Sequence, residues 1–512
     1  MDFIESHLLS FILFSPAVAA IALFILPREN VKLIRWFAFI SSLVPLGLAI
    51  WLWLAYDSSQ AGFQFTEQVA WYEAINSSFH LGVDGISVPM VLLTTLLTPL
   101  ALIISWNITQ NVRSYMALFL MLEMGMLGVF LSLDLVLFFV FWELGLIPMY
   151  FLINQWGSEN RDYASMKFLI YTMAGSLGLL LAIQLIGISS GSFDMIQIVE
   201  RWTALTEPLT VVGLPISIPI GTVKAIAFWA FVIAFAIKVP IWPFHTWLPD
   251  AHTEAPTAGS MILAGVLLKL GAYGFLRLVL PLFPEQARIF ALPLAILATM
   301  AIIMGAFGAW GQDDFKRLVA YSSVNHMGFV VLGIAAAAFA RGTLNANDAV
   351  IALDGAVLQM FNHGISAAGM FLLVGVLYDR SHTRDLNALG GLFSLAPVYG
   401  GILIFTSMAS LGLPGLNGFV SEFMVVRGAW PIFTLLTALS MIGLLVTGAY
   451  ILKGITRVLH GPLNERWLEH DMEINRREIF AIAPLMALML AIGVWPSWIV
   501  RVINDTVQRL FG

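Results

Sequence analysis

Six side chains sit in apolar runs that give them no ordinary reason to be there. Glu143 lies in LFFVFWELGLIPMYF, Lys238 in FVIAFAIKVPIWPF and Lys269 in MILAGVLLKLGAYGF. His326 follows in VAYSSVNHMGFVVLG, His363 in VLQMFNHGISAAGMF and Glu422 in LPGLNGFVSEFMVV. An ionisable group near the middle of a bilayer costs about 2.5–3.5 kcal/mol on insertion scales, so such groups face one another or water and mark ion pathways. All six are carboxylates, amines or imidazoles, which bind and release protons. A single buried Lys–Glu pair would serve to fix helix register. Six polar centres exceed what such a staple needs, and their chemistry is proton transfer.

Two of the runs carry helix breakers beside these groups. Pro240 follows Lys238 by two residues and removes an amide from the helix, leaving carbonyls of the preceding turn free. That negative helix end suits a lysine cation. Gly412, Pro414, Gly415 and Gly418 break a later run, and Glu422 falls about one turn into its second half. A positive helix end suits a carboxylate there. Each charge sits at the half-helix end of opposite sign.

The magnitudes fit a pump. Moving one charge against about 200 mV takes roughly 4.6 kcal/mol. A carboxylate and an ammonium about 4 Å apart interact by roughly 4 kcal/mol at an effective dielectric near 20. Making and breaking one Glu143–Lys238 contact is therefore on the right scale to drive a proton from Lys238 toward Lys269.

Other polar residues have quieter readings. Glu123 in ALFLMLEMGM is a further intramembrane acid, either a side branch of the same path or a partner for a neighbouring subunit. Asp84 and Asp134 fall near the edges of apolar runs and cap helices. Lys167 is a membrane-edge anchor or an electrostatic neighbour of Glu143. His363 shares a helical face with Gln359, and His326 with Ser322. His80, His245, His252, His382, His460 and His470 fall in loops or at span ends, and no pair has the spacing of a helical metal site.

The elements that must position these groups follow from composition. The chain has 512 residues, 59% of them hydrophobic and 11% charged, with a net charge of −6. Soluble domains carry about 25% charge, so this surface cannot face water. Apolar runs fall at 7–26, 33–55, 84–106, 114–133, 135–154, 165–189, 220–240, 256–281, 289–310, 318–340, 349–378, 396–425, 430–452 and 479–500. They are too long for the ten-residue alternating strands of a membrane barrel. An all-α polytopic membrane protein of about 14 transmembrane helices is expected, with helices 7 and 12 discontinuous. The polar stretches Asp57–Asn76 and Ser192–Pro208 read as interfacial helices. The first run opens with Asp2 and Glu5, with no cleavage site, and reads as a retained span.

Fifteen Lys and Arg fall in the odd-numbered connections and eight in the others, with Lys238 and Lys269 inside spans. The bias places both termini on the outer side. There is no cysteine, hence no Cys-ligated iron–sulfur cluster or thiolate chemistry. Without a basic block, nucleic acid is not a partner. No phosphate-binding loop occurs, so nucleotide hydrolysis is not expected.

The segments WELGLIPMYFL, FAIKVPIWPFHTWLPDAHTEAPTAGSMILAGVLLKLGAYGFLR, DFKRLVAYSSVNHMGF and LPGLNGFVSEF together resemble the antiporter-like membrane subunits of proton-translocating NADH–quinone oxidoreductase, respiratory complex I, and among them the subunit M (chain 4) family. The resemblance spans at least residues 114–425, and its long central block is highly specific. It implies two inverted five-helix repeats, at 114–281 and 289–460, after N-terminal helices in 1–113 and before a C-terminal helix in 461–512. It also implies that Glu143 and Lys238 form the acid–lysine pair, Lys269 the central lysine, His326 and His363 the connecting histidines, and Glu422 the exit acid. An acid at this last position resembles subunit M, where sister subunits have Lys.

The implied partners are other membrane-arm subunits, sister antiporter-like subunits included, together with the lipid bilayer and protons. No cofactor is expected on this chain; NADH, FMN, iron–sulfur clusters and quinone belong to partner subunits. The implied location is the bacterial inner membrane. A multisubunit Na+/H+ antiporter subunit, a passive scaffold and a substrate transporter are the competing readings.

Overall fold

In hydrocarbon every backbone amide needs an internal partner, and a helix supplies one within a single segment. The computed structural model describes residues 5–210 and 217–511. Among these, 12 helices are long and apolar enough to cross a membrane. Of the fourteen expected runs, the first and twelfth appear as the shorter helices Leu8–Ala22 and Pro397–Leu411. The twelfth is cut short because Gly412 and Gly415 adopt φ of +83° and +93°, which side-chain-bearing residues rarely do. Helix resumes at Asn417–Ala429. The seventh stops at Lys238 itself, as Ile220–Lys238, and resumes as Trp247–Glu254.

The carbonyls before Pro240 are not left free as the sequence suggests. The Ile241 amide donates to Ala236 O at 2.9 Å and the Trp247 indole to Ile237 O at 2.9 Å. Buried polar groups find partners, and here the chain beyond the break folds back to supply them.

The helices Thr257–Leu282 and Ala346–Ser381 run through the protein interior, with Phe315–Ala340 beside the latter. Helices such as Val31–Ala55 and Thr434–Leu459 lie at the periphery and turn Leu54, Leu435 and Leu445 outward, a face suited to lipid. The inner helices are closely packed. A Cβ added at Gly271 would lie 2.8 Å from Phe235 O and 3.0 Å from the Lys238 Cβ. Glycine at 271 therefore lets the helix bearing Lys269 touch the helix bearing Lys238.

The stretch 57–76 does not hold the expected interfacial helix. Gln64–Tyr72 pairs antiparallel with Ser77–Val83. Phe65, Val69, Trp71 and Tyr72 are of the β-branched and aromatic types that favour strands, and Asn76 takes the left-handed turn conformation at φ 55°. In the stretch 192–208 a helix does form, Met195–Ala204, capped by the Asp194 side chain. Beyond the last span, Arg476–Val494, lies a further helix that the apolar pattern does not reveal, Ser497–Phe511. Glu67 of the hairpin accepts from the amides of Leu9 and Ser10, and Arg509 donates to carbonyls of Ser58, Ser59 and Gln60. The hairpin, the start of the first helix and the final helix thus share one face.

On that face His80 Nδ1 lies 2.7 Å from Asp194 Oδ2. Burial pushes the Asp194 carboxyl up, but the His80 bond and the Gln197 and Ile196 amides outweigh it and hold the group below its ordinary value. A carboxyl depressed on folding adds stability that is complete above its unfolded pKa of about 3.9 and lost as pH falls through the lower folded value. Amide hydrogen exchange across residues 64–83 is therefore expected to rise below about pH 4, ahead of exchange in the spans. Asp194→Asn should remove that rise. A hairpin equally protected at pH 3 and pH 6 would refute it.

Candidate functional site

Lys269 is the centre, on a helix that is widened around it. Leu263–Leu267 and Phe275–Val279 are π-turns flanking the α-helical segment Leu268–Gly274. Such turns change the phase of the helix and recur at functional sites. Lys269 Nζ donates to Ala264 O at 2.5 Å and lies 2.8 Å from His363 Nδ1. Lys269 is wholly buried. An ammonium has donors only, and an imidazole nitrogen accepts only when it is bare. The Lys269–His363 contact therefore holds one proton between two bases.

From His363 the series continues to His326, whose ring centroid is 5.7 Å away. His363 Nε2 has no hydrogen-bond partner among the described residues. His326 Nδ1 is 2.6 Å from Glu422 Oε1, and its Nε2 is 3.2 Å from the Tyr450 hydroxyl. Glu422 Oε1 also accepts from Gln359 Nε2 at 3.0 Å, and Ser421 Oγ donates to Gln359 Oε1. Oε2 of Glu422 is unpartnered, on the side of the break at Gly412.

The broken helix is tied to its neighbour by a reciprocal pair. Asn362 Nδ2 donates to Asn417 O at 2.7 Å, and Asn417 Nδ2 to Asn362 O at 3.1 Å. Glu422 thus sits in the second turn of a helix whose start is fixed by side chains. Four of the six sequence-picked residues form one buried series: Lys269, His363, His326 and Glu422.

The other two stand differently. Glu143 ends the helix Leu135–Leu144, and Lys238 ends Ile220–Lys238. Glu143 is the carboxylate acting electrostatically on Lys238, yet no ion pair within 4.0 Å joins them among the described residues. Lys238 Nζ lies instead over the Trp142 ring, 5.1 Å from its centroid. An aromatic face attracts a cation at this distance. The contact supposed from sequence is therefore open, with Trp142 holding the ammonium and Glu143 Oε1 buried without a partner. Nor does Lys238 touch Lys269 by any hydrogen bond.

Glu123 is completely buried within this chain, with Thr98 as its polar neighbour. That removes it as a contact for a neighbouring subunit. Lys167 pairs with Asp250 at 2.6 Å. Asp134 caps its helix through the amides of Val136 and Leu137. His252 belongs to the interior, not to a loop: it is wholly buried and stacks on Phe371 at 4.5 Å. No group of three or more His, Asp or Glu able to hold a metal occurs among the described residues. Tyr450, Trp142 and the Asn362–Asn417 pair were invisible in the sequence, because uncharged side chains in apolar runs do not violate any solvation rule.

Residues 132–447 match the family described as NADH:quinone oxidoreductase/Mrp antiporter, transmembrane. The chain is 40% identical to NADH-quinone oxidoreductase subunit M of Rhodobacter capsulatus, over 98% of this chain and 96% of that protein. It is 38% identical to NADH-ubiquinone oxidoreductase chain 4 of Arabidopsis thaliana, over 98% and 96% respectively. Among solved structures, a chain of respiratory complex I from Thermus thermophilus with bound NADH aligns at a TM-score of 0.82 and 26% identity, covering 98% of this chain and all of that one. A chain of the Mrp complex from Dietzia sp. aligns at 0.81 with 22% identity over 99% and 97%, a likeness of fold.

Proposed function

Because this chain belongs to the subunit M family of NADH–quinone oxidoreductase, within the NADH:quinone oxidoreductase/Mrp antiporter transmembrane family, we propose that it carries protons across the membrane through Glu143, Lys238, Lys269, His363, His326 and Glu422. One observation carries the reading: Lys269–His363 at 2.8 Å and His326–Glu422 at 2.6 Å, joined by rings 5.7 Å apart, form a buried run of proton-binding groups.

The mechanism follows from this chain's own groups. When Glu143 is withdrawn from Lys238, the ammonium loses its counter-charge, and buried cations without one release protons. Lys238 then discharges toward Lys269 through intervening water. Lys269 gives a proton to His363 Nδ1, His363 releases the proton on its Nε2 toward His326 Nε2, and His326 passes the proton on its Nδ1 to the Glu422 carboxylate. When Glu143 swings back, Lys238 reloads. Residues 114–281 and 289–460 are the two half-channels. The driving event is quinone reduction elsewhere in the complex, with NADH, FMN, iron–sulfur clusters and quinone held by partner subunits. This chain is the non-redox, translocating part of that enzyme. It resides in the bacterial inner membrane beside other membrane-arm subunits, both termini on the outer side.

Lys238→Ala separates this from a passive scaffold. The complex is expected to assemble to normal amount with pumping per NADH, and coupled turnover, reduced about tenfold or more, the loss of one charge-scale interaction. Loss of assembly with normal pumping in what remains would favour a scaffold. Acidification that stops when sodium is withheld would favour sodium–proton exchange.

A further inference from the structure

Eight residues beyond Lys269 on the same helix, about 12 Å along its axis, stands a second polar cluster that the relay does not use. Arg277 Nη2 donates to Asp84 Oδ1 at 2.6 Å and to Ser87 Oγ at 3.2 Å. Arg277 Nε donates to the Tyr273 hydroxyl at 3.1 Å, and that hydroxyl donates to Phe130 O at 3.0 Å. The amides of Ile86 and Ser87 also bond Asp84 Oδ1. Arg277 and Asp84 are both buried, and the Arg277 guanidinium is capped on the hairpin side by the Phe63 ring at 4.8 Å.

Lys269, Tyr273 and Arg277, spaced four apart, line one side of the central helix from the relay to the hairpin-bearing face. A hydroxyl and an amine beneath an open mouth would let the central proton escape there. The cluster ends instead in the one side chain that cannot pass a proton on, since a guanidinium stays charged at every physiological pH. A fixed cation in a narrow path also repels an arriving one, the device by which pores exclude protons. Arg277 Nη2 and Nε, Asp84 Oδ1 and the Tyr273 hydroxyl are tied to one another, to Ser87 and to the Phe130 carbonyl, which fixes the cluster in place.

We propose that the Arg277–Asp84 pair, seated on Tyr273, is a proton barrier closing the hairpin-side end of the central helix, so that the proton on Lys269 leaves only toward His363. This rests on the relay reading above and adds to it which exit is shut. Arg277 is a positioning residue here; it touches no member of the relay.

The test uses the whole complex in proteoliposomes, with passive proton influx under an imposed potassium diffusion potential and no NADH. Arg277→Leu, Arg277→Lys and the paired Asp84→Asn/Arg277→Leu are expected to raise influx several-fold. Lysine should leak because its proton can be released, although its charge and bulk remain. Adding Lys269→Met to Arg277→Leu should restore wild-type tightness, which a merely loosened fold would not do. Tight assembled complexes with Arg277→Lys or Arg277→Leu overturn the barrier, as does a leak that persists without Lys269. If Arg277→Leu fails to assemble, the Arg277→Lys complex decides alone. Lys269→Met by itself keeps the two ideas apart: normal pumping there sinks the relay, whereas abolished pumping with tight Arg277 variants sinks only the barrier.

Discussion

Lys269→Met should abolish proton pumping while leaving the complex assembled. Methionine fills the lysine volume without an ionisable group, so Gly271 still meets Phe235 and the helix keeps its place. What is lost is the amine that bonds His363 directly. His363 Nδ1 then has no proton donor, and the Ala264 carbonyl loses its partner. An excess proton crossing that gap must be carried in a low-dielectric interior, at an effective cost of several kcal/mol. At 1.36 kcal/mol per tenfold in rate, about three powers of ten or more are lost on that step. Dye-quench acidification of inside-out vesicles, normalised to NADH oxidised, is the measurement. Quenching at more than a tenth of the wild-type extent would remove Lys269 from the path.

Glu422→Gln should have the second largest effect, and of a different kind. Glutamine keeps size and an acceptor, so the His326 and Gln359 contacts can persist and the break at Gly412 stays packed. The carboxylate charge, and with it proton affinity at the end of the series, is gone. A hydrogen bond to a charged partner contributes about 1.5–3 kcal/mol, which translates to roughly tenfold to a hundredfold slower loading of that end. Glu422→Asp should recover part of it. Normal pumping in Glu422→Gln would place the end of the route elsewhere. A loss in both variants with unequal complex amounts on native gels would point to folding instead.

The six positions of the proposed relay stand out in the sequence because each breaks the solvation rule of its surroundings. An acid or amine in twenty apolar residues has no bland neighbour to hide among, and Pro240 and the Gly412–Gly418 cluster announce the two broken helices. The hairpin at 64–83 does not, because a search for long apolar runs takes a polar stretch beside a span for an interfacial helix. The π-turns beside Lys269 left no sign, since Leu263–Leu267 has the composition of any helix. Nor could spacing tell that Glu143 and Lys238 form no ion pair and that Lys238 lies over the Trp142 ring instead. A sequence gives adjacency along a helix, whereas the angle at which two helix ends meet is set by packing partners such as Gly271.

The helix Ser497–Phe511 binds segments far earlier in the chain: Thr506 accepts from the Gly85 amide, Asn504 bonds Asp354, and Arg509 grips the 58–60 turn. Biogenesis is therefore constrained in time. The 58–60 turn, the Gly85 amide and Asp354 must wait for these partners until residues 504–509 have been made. The last described helix thus ties the segment before the hairpin to a partner more than 400 residues later in the chain.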